Sequence, residues 1–337
     1  MTVTSPSAAS QEGDPISVRA WWRALAGAAA ELLKTLSRPT PRPAPALAAA
    51  QPLRPLKRLR LTDQVSHTLF DEYAAHRSSP RGDEETGWVL LGFREGDTAL
   101  ALATLPAGAG REAGQAHVRF NAAAQALASR AVRQYDRRLT LLGVVHTHPG
   151  SLRHPSDGDF RGDSKWVAQL RGGDGVFGIG TADRPASGYP GPGPSGLVAW
   201  QPKSHRQCLG QLCLSWYALG KDDRGYRPLP VDVTLGPDLA KPLRPVWGLV
   251  EEYAERLDRL ARQQARVAFG VLPGRKGPAL AAEIPLADPG NAVQILLEGK
   301  EVRYFLVRDG EPVAADIGEA RVDQGFYLLL AELAARD

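Results

Sequence analysis

The chain has 337 residues, of which 43% are hydrophobic and 23% are charged, and its formal net charge is only +4. This composition is typical of a soluble globular protein long enough for two domains, and so small a charge does not by itself indicate nucleic acid as a partner. Because two cysteines are too few for a disulfide scaffold, we interpret Cys208 and Cys213 as small core residues of a cytoplasmic protein.

The first 55 residues are predicted to form an extension rather than a domain. Residues 16–36 place apolar side chains on one helical stripe that charged residues interrupt, which favours an amphipathic helix over a membrane span or a signal peptide. Such a helix can pack on its own protein or a second copy, dock a partner, or lie on a membrane surface. Residues 38–55 are rich in Pro and Ala and should form an extended linker. Residues 1–60 carry nine Lys/Arg and three Asp/Glu, a net charge of +6. Only this basic segment favours a nucleic-acid partner, and we do not predict one.

Residues 56–220 alternate short apolar runs with helical patterns and are predicted to form one domain. Helices should begin at Asp63 and Asn121, two residue types that cap helices. We predict strands over residues 56–61, 86–93, 97–105, 117–120, 141–145, 176–180, 197–201 and 211–219, and helices over residues 63–76, 121–137 and 157–170.

Two histidines close the apolar run over residues 141–145. On a strand, side chains at positions i and i+2 point to the same face, so His146 and His148 should project together. Asp159 can return to them after a short loop, and two imidazoles with one carboxylate are the protein ligands of many catalytic zinc sites. Ser156 and Asp159 also have the spacing of a helix capping box, which is compatible with metal binding. His154 lies on the intervening loop, and we do not assign it as a ligand.

A second segment lies upstream, Glu-Thr-Gly-Trp-Val-Leu-Leu-Gly over residues 85–92. Together with His-Thr-His-Pro over 146–149 and Ser-Asp-Gly-Asp over 156–159, it resembles the JAMM motif of the JAB/MPN metallopeptidase family. Trp88 departs from the pattern, since the family has a second glycine there. The resemblance covers residues 56–218 and implies an α/β (α+β) fold, a mixed sheet flanked by helices in a cytidine-deaminase-like arrangement.

The resemblance also implies roles for five residues. It makes His146, His148 and Asp159 the ligands of one Zn²⁺ per chain, Glu85 the general base, and Ser156 a group that helps to stabilise the reacting carbonyl. The implied reaction is hydrolysis of the amide bond after the C-terminal glycine of a ubiquitin-like protein, in a bacterial pathway that includes activating- and conjugating-enzyme homologues. Two alternatives stay open, namely processing of a sulfur-carrier protein and a non-catalytic MPN-type scaffold.

The rest of the chain carries no chemical motif. The Pro-rich residues 221–245 are predicted to be a linker, so residues 56–220 should fold alone. Residues 246–337 contain a long apolar helical seam, two short apolar runs over 292–297 and 302–307 that read as strands, a hairpin turn signal over 308–311, and a last helix. We predict a small α+β accessory domain that binds a partner or positions substrate.

Overall fold

The computed structural model describes residues 52–114, 117–150, 152–182, 203–264, 266–288, 290–319 and 321–335. The predicted helix over 16–36, the linker up to residue 51 and the strand over 197–201 lie outside these residues. No helix among the described residues is long and apolar enough to cross a membrane.

A nine-stranded mixed sheet is the centre of the fold, with strand order β10-β9-β7-β6-β2-β3-β1-β11 and β8 paired to β9. Its strands are β1 (Arg58–Thr62), β2 (Gly87–Glu95), β3 (Thr98–Pro106), β6 (Thr140–Thr147), β7 (Asp174–Thr181), β8 (Arg206–Leu209), β9 (Leu212–Gly220), β10 (Arg227–Pro228) and β11 (Val231–Thr234). Two further short strands, β4 (Glu112–Ala113) and β5 (Val118–Arg119), pair with each other. The predicted mixed sheet flanked by helices is therefore confirmed at this level.

The strand that carries the histidines lies inside the sheet. β6 pairs antiparallel with β2, where His146 faces Gly87, and parallel with β7, where His146 faces Ile179. At Gly143, with a φ of 153°, an added Cβ would lie 1.8 Å from the carbonyl oxygen of Val176. Glycine at this position therefore lets β7 approach β6 closely. This packing fixes the end of the strand from which both imidazoles project.

Three helices belong to the part of the chain that carries the site, namely α1 (Asp63–Arg77), α2 (Ala122–Val132) and α3 (Asp157–Asp163). The cap of α1 is Thr62, whose hydroxyl accepts a hydrogen bond from the amide of Val65, and not Asp63 as predicted. The carboxylate of Asp63 accepts the amide of Gly236 instead. Asn121 caps α2 as predicted.

Two predicted helices end earlier than expected. The helix over 121–137 ends at Val132, and beyond it Asp136 forms a local turn by accepting the backbone amide of Arg138. The helix over 157–170 ends at Asp163, whose carboxylate accepts a hydrogen bond from the indole N–H of Trp166. A separate 3₁₀ turn follows at Val167–Gln169. Glycine is a poor helix former, and α3 contains two of them.

The C-terminal part has a five-stranded antiparallel sheet in the order β12 to β16. Its elements are β12 (Ala268–Pro273), β13 (Pro278–Pro285), β14 (Ala292–Glu298), β15 (Glu301–Arg308), β16 (Glu311–Ala315), α4 (Trp247–Gln263) and α5 (Val322–Ala334), preceded by a 3₁₀ turn at Lys241–Val246. The division of the chain into domains at 221–245 stays a prediction, but this segment is not a free linker. It contributes β10 and β11 to the large sheet.

One apolar cluster joins the two parts. Leu105 of β3 and Leu127 of α2 belong to the same buried cluster as Leu257 of α4, Leu280 of β13 and Phe326 of α5. The half of the chain that carries the histidines therefore shares a core with the C-terminal elements.

The interpretation of the cysteines as unpaired core residues is wrong. Cys208 and Cys213 face each other across β8 and β9 and form a disulfide, with their Cα atoms 4.1 Å apart. The tight turn between the strands contains Gly210 with a φ of 58°, and it places the two residues directly opposite. Counting cysteines could not reveal this hairpin pairing.

Candidate metal centre

Three predicted ligands converge at the end of β6. Nε2 of His146 lies 3.0 Å from Nε2 of His148, and these atoms lie 3.2 and 3.3 Å from the two carboxylate oxygens of Asp159. One ligand atom from each residue falls within 4.8 Å of the others, so the group could hold a metal ion. Both histidines are buried.

Backbone pairing holds the histidines in place. The amide of Thr147 donates to the carbonyl of Thr86, and the amide of His148 donates to the carbonyl of Gly180. The hydroxyl of Thr147 accepts the amide of Thr86 at 2.9 Å. The strand pattern therefore continues through His148, and His146 and His148 share a face as their i, i+2 spacing predicts.

A helix cap holds the carboxylate of Asp159 beside the two histidines. The hydroxyl of Ser156 accepts the amide of Asp159 at 3.1 Å, and the Asp159 carboxylate accepts the amide of Ser156 at 2.6 Å. This reciprocal capping box begins α3. The Ser156 hydroxyl also donates to Oδ2 of Asp159 at 2.8 Å, so the cap and the metal centre use the same carboxylate.

His146 and Asp159 shift each other's pKa. Burial opposes the charged form of Asp159, but hydrogen bonds from His146 and His148 hold the pKa of its carboxyl far below its usual range. Burial also opposes protonation of His146, but the hydrogen bond and charge of Asp159 outweigh it and raise its pKa. The centre thus places a carboxylate where it favours a cation, which is the electrostatic requirement of a metal site.

Glu85 is buried immediately before β2, and it lines the same cavity as His146 and Asp159. Its amide donates to the carbonyl of Gly114 at 2.7 Å, and its carbonyl accepts the guanidinium of Arg111 at 3.2 Å. Burial raises the pKa of the Glu85 carboxyl, against the opposing charges of the two histidines. The structure thus places this carboxylate beside the candidate metal centre.

The two nearest alternatives lie elsewhere. Glu84 does not line the cavity, and its carboxylate accepts a hydrogen bond from Nε of Arg81 at 2.7 Å. His154 is exposed and is not part of the group of three possible ligands among the described residues.

Asp163 is a site residue that sequence reasoning missed. It follows Asp159 by one helical turn and lines the cavity. Its carboxylate accepts the hydroxyl of Tyr226 at 2.7 Å and the indole N–H of Trp166 at 3.1 Å. Burial raises the pKa of Asp163. The i, i+4 spacing of the two aspartates was the available signal, but the partnership with Tyr226, 63 residues away, was not visible.

The candidate centre opens into a cleft of about 1450 Å³. Apolar side chains of the large sheet line part of it, namely Val89, Leu91, Leu141 and Val144. Residues of α2 and of the C-terminal part also line it, so both parts of the chain contribute to one cavity. A concave cleft with apolar walls and a few convergent polar groups is the usual form of a binding site.

Fold and site together define a mixed α/β protein with a His-His-Asp candidate metal centre in a substrate-sized cleft. Residues 66–201 match the family model described as prokaryotic homologs of the JAB domain, so the part of the chain that carries the centre is similar to JAB domains. That match spans both histidines, Glu85 and Asp159.

Other comparisons add little. A solution structure of protein DSY2949 from Desulfitobacterium hafniense is similar to 53% of this chain and to 94% of that chain, at 17% identity and a TM-score of 0.36. A search of curated proteins gave no match.

Proposed function

We propose that this protein is a zinc-dependent peptidase that hydrolyses the amide bond after the C-terminal glycine of a ubiquitin-like protein. The observation that carries the proposal is the convergence of His146, His148 and Asp159 on one point beside a buried Glu85. The match of residues 66–201 to the JAB domain model supports a metal-dependent peptidase or a related scaffold, and this full set of candidate ligands favours the peptidase.

The donor set fits zinc. Ligands about 2.0–2.2 Å from a tetrahedral metal lie about 3.3 Å from one another. The two Nε2 atoms here lie 3.0 Å apart, and those of His146 and His148 lie 3.2 and 3.3 Å from different carboxylate oxygens of Asp159, which is close to this spacing. Two imidazole nitrogens and a carboxylate leave one tetrahedral position for water or substrate, which is the pattern of catalytic zinc sites.

Zn²⁺ held by these residues would polarise a carbonyl group and lower the pKa of a water molecule toward neutrality. The carboxylate of Glu85 would accept a proton from the attacking water and transfer it to the leaving amine. Its burial suits this role, because a raised carboxyl pKa makes the group a stronger base. The Ser156 hydroxyl, now bonded to Asp159, would turn toward the oxygen of the reacting carbonyl and stabilise its developing charge.

The same residues would serve a sulfur-carrier substrate, so the substrate class follows from the resemblance rather than from the centre. We propose that the substrate is a ubiquitin-like protein or its conjugates, and that activating- and conjugating-enzyme homologues are partners. The proposal also includes the cytidine-deaminase-like arrangement of the sheet.

Metal analysis and a cleavage assay on the same samples test the proposal. The purified full chain should contain about one Zn²⁺ and should cut a ubiquitin-like protein fused through its terminal glycine, or a sulfur carrier extended in the same way. His146→Ala and Asp159→Ala should lose metal and cleavage together, whereas His154→Ala, a matched exposed histidine, should retain both. A chain that binds no metal and cuts neither substrate is a scaffold, and the proposal is then wrong.

A further inference from the structure

The cleft that holds the candidate metal centre differs in charge between its two ends. The metal end carries the carboxylates of Glu85, Asp159 and Asp163. Four arginines also line the cleft, and they come from α2, the turn after it and the segment before β12. They are Arg130, Arg133, Arg137 and Arg266. Among the described lining residues, Glu283 is the only carboxylate outside the metal end.

Three of the four guanidinium groups have no carboxylate partner among the described residues. Nη2 of Arg130 lies 3.4 Å from one carboxylate oxygen of Asp258. Nη2 of Arg262 lies 2.5 Å from the other oxygen of the same carboxylate. Arg133, Arg137 and Arg266 are exposed, and no ion pair joins them to any described residue. Arginines that share a cleft without partners remain free to bind carboxylates of a ligand.

The length of β6 gives the distance between the metal end and the arginine end of the cleft, because the two ends lie at opposite ends of this strand. Arg137 precedes the start of β6 at Thr140, and His146 lies near its other end. Six residues of strand at about 3.3 Å each give a separation of about 20 Å. Helix α2 runs between the same two ends of the cleft. Phe120, just before the helix cap, packs beside Gly87 at the metal end, and Arg133 caps the other end of the helix.

We propose that the arginine end, defined by Arg130, Arg133, Arg137 and Arg266, is a subsite for an acidic segment of the polypeptide substrate. An extended peptide covers about 3.3–3.6 Å per residue, so the acidic segment would lie about six residues from the bond that is cut. This position of the cut bond rests on the proposed peptidase function.

The surface between the two ends favours a polypeptide over a single-stranded nucleic acid. The cleft floor is aliphatic at Val89, Leu91 and Val144. Binding of single strands relies on aromatic side chains beside the basic groups. The described aromatic residues of the cleft are Phe120, which packs beside Gly87 at the metal end, and Trp166, which packs against Phe177 opposite the middle of β6, so neither is shown beside the arginines.

Peptide binding to the metal-free full chain tests the subsite without any hydrolysis. Fluorescence anisotropy would compare peptides that carry a run of glutamates, glutamines or lysines, at low and high salt. The glutamate peptide should bind best at low salt. Arg133→Glu combined with Arg137→Glu should weaken its binding about tenfold and favour the lysine peptide instead.

A matched control makes the same change in charge outside the cleft. Arg224 and Arg275 are exposed and do not line it, so Arg224→Glu combined with Arg275→Glu should leave the peptide preference unchanged. Equal weakening by both pairs would show a general charge effect and overturn the subsite. Tighter binding of a DNA strand of equal charge would overturn the assignment to an acidic peptide. Arg133→Ser with Arg137→Ser repeats the test without introducing acidic groups.

Cleavage of fusion substrates separates this inference from the proposed function. A run of glutamates would be placed about two or about six residues from the terminal glycine bond, on either side of it. The six-residue spacing should give the highest kcat/KM, and the arginine variants should lose that preference. Equal cleavage of all the substrates would overturn the subsite and leave the peptidase proposal intact. Charge-dependent binding with no cleavage of any substrate would support the subsite and overturn the peptidase proposal.

Discussion

Nε of Arg244 lies 2.6 Å from Oε1 of Glu72, which joins the 3₁₀ turn before α4 to helix α1. The other carboxylate oxygen of Glu72 accepts the indole N–H of Trp88 at 2.5 Å. Trp88 is the residue at which the upstream segment departs from the family pattern. Glu72 thus connects Trp88, on the strand after Glu85, to Arg244 of the predicted linker, so the linker segment is part of the structure that surrounds the site.

The shared core predicts that residues 56–220 do not fold alone, contrary to the expectation from the sequence. Removing residues 221–337 takes away β10, β11 and Arg244 and exposes Leu105 and Leu127. We expect the truncated chain to lack a cooperative thermal transition and to bind a dye for exposed apolar surface. Deleting residues 1–51, which takes away none of the described contacts, is the control.

A point substitution tests the same relationship in the full chain. Leu257 of α4 is fully buried in the shared cluster, so Leu257→Ala should lower the free energy of unfolding by about 2–5 kcal/mol. Unfolding of the two parts should remain one transition, followed by tryptophan fluorescence and by circular dichroism. Two separated transitions, or a truncated chain as stable as the full one, would support the predicted domain boundary instead.

Local sequence patterns predicted the geometry of the candidate centre better than the packing around it. The i, i+2 histidines and the Ser156–Asp159 spacing are local patterns, so both the strand end and the helix cap could be predicted from them. The pairing of β11 with β1 joins residues more than 160 positions apart, and no local pattern in a Pro-rich segment indicates it. Asp163 was missed for the same reason, since its role depends on Tyr226.

Glu72 gives the stability of the protein a dependence on pH. Burial raises the pKa of its carboxyl, although Arg244 and the hydrogen bond from Trp88 act in the opposite direction. A carboxyl whose pKa is higher in the folded than in the unfolded state adds stability that is complete below its unfolded pKa of 4.5. That stability is lost as the pH rises through the folded-state pKa.

Glu72→Gln removes this titration. Relative to the variant, the unaltered protein should therefore lose free energy of unfolding as the pH rises from below 4.5 toward neutrality. Urea unfolding over that range measures the difference between the two proteins. Glu255→Gln, the same change at an exposed position of α4, is the matched control. A difference of opposite sign would mean that Arg244 and Trp88 outweigh burial.

The disulfide between Cys208 and Cys213 closes a very short loop, so its effect on stability should be small. Loop-closure entropy for so few residues is worth about 2 kcal/mol. Reduction, or Cys208→Ser with Cys213→Ser, should lower the free energy of unfolding by no more than that and leave metal content unchanged. Thiol counting under denaturing conditions without reductant is the direct check, and two free thiols would contradict the pairing.

The last prediction concerns the two adjacent glutamates before β2. Glu85 lines the cleft and Glu84 pairs with Arg81 outside it, so only the first can act on a reacting group. Glu85→Gln keeps the shape of the side chain but cannot accept a proton. We expect normal zinc content, near-normal substrate binding, and a fall of at least about 10²-fold in kcat.

Glu84→Gln is the matched control, and it should leave turnover almost unchanged because it removes only a half-exposed ion pair. Zinc content and cleavage of the ubiquitin-like fusion would be measured on the same samples of both variants. Loss of turnover in Glu84→Gln alone would mean that the upstream segment is misaligned by one residue. If neither change affects turnover while zinc stays bound, Glu85 is not the general base, and the proton must be accepted by another group in the cleft, of which Asp163 is the nearest in sequence to a ligand.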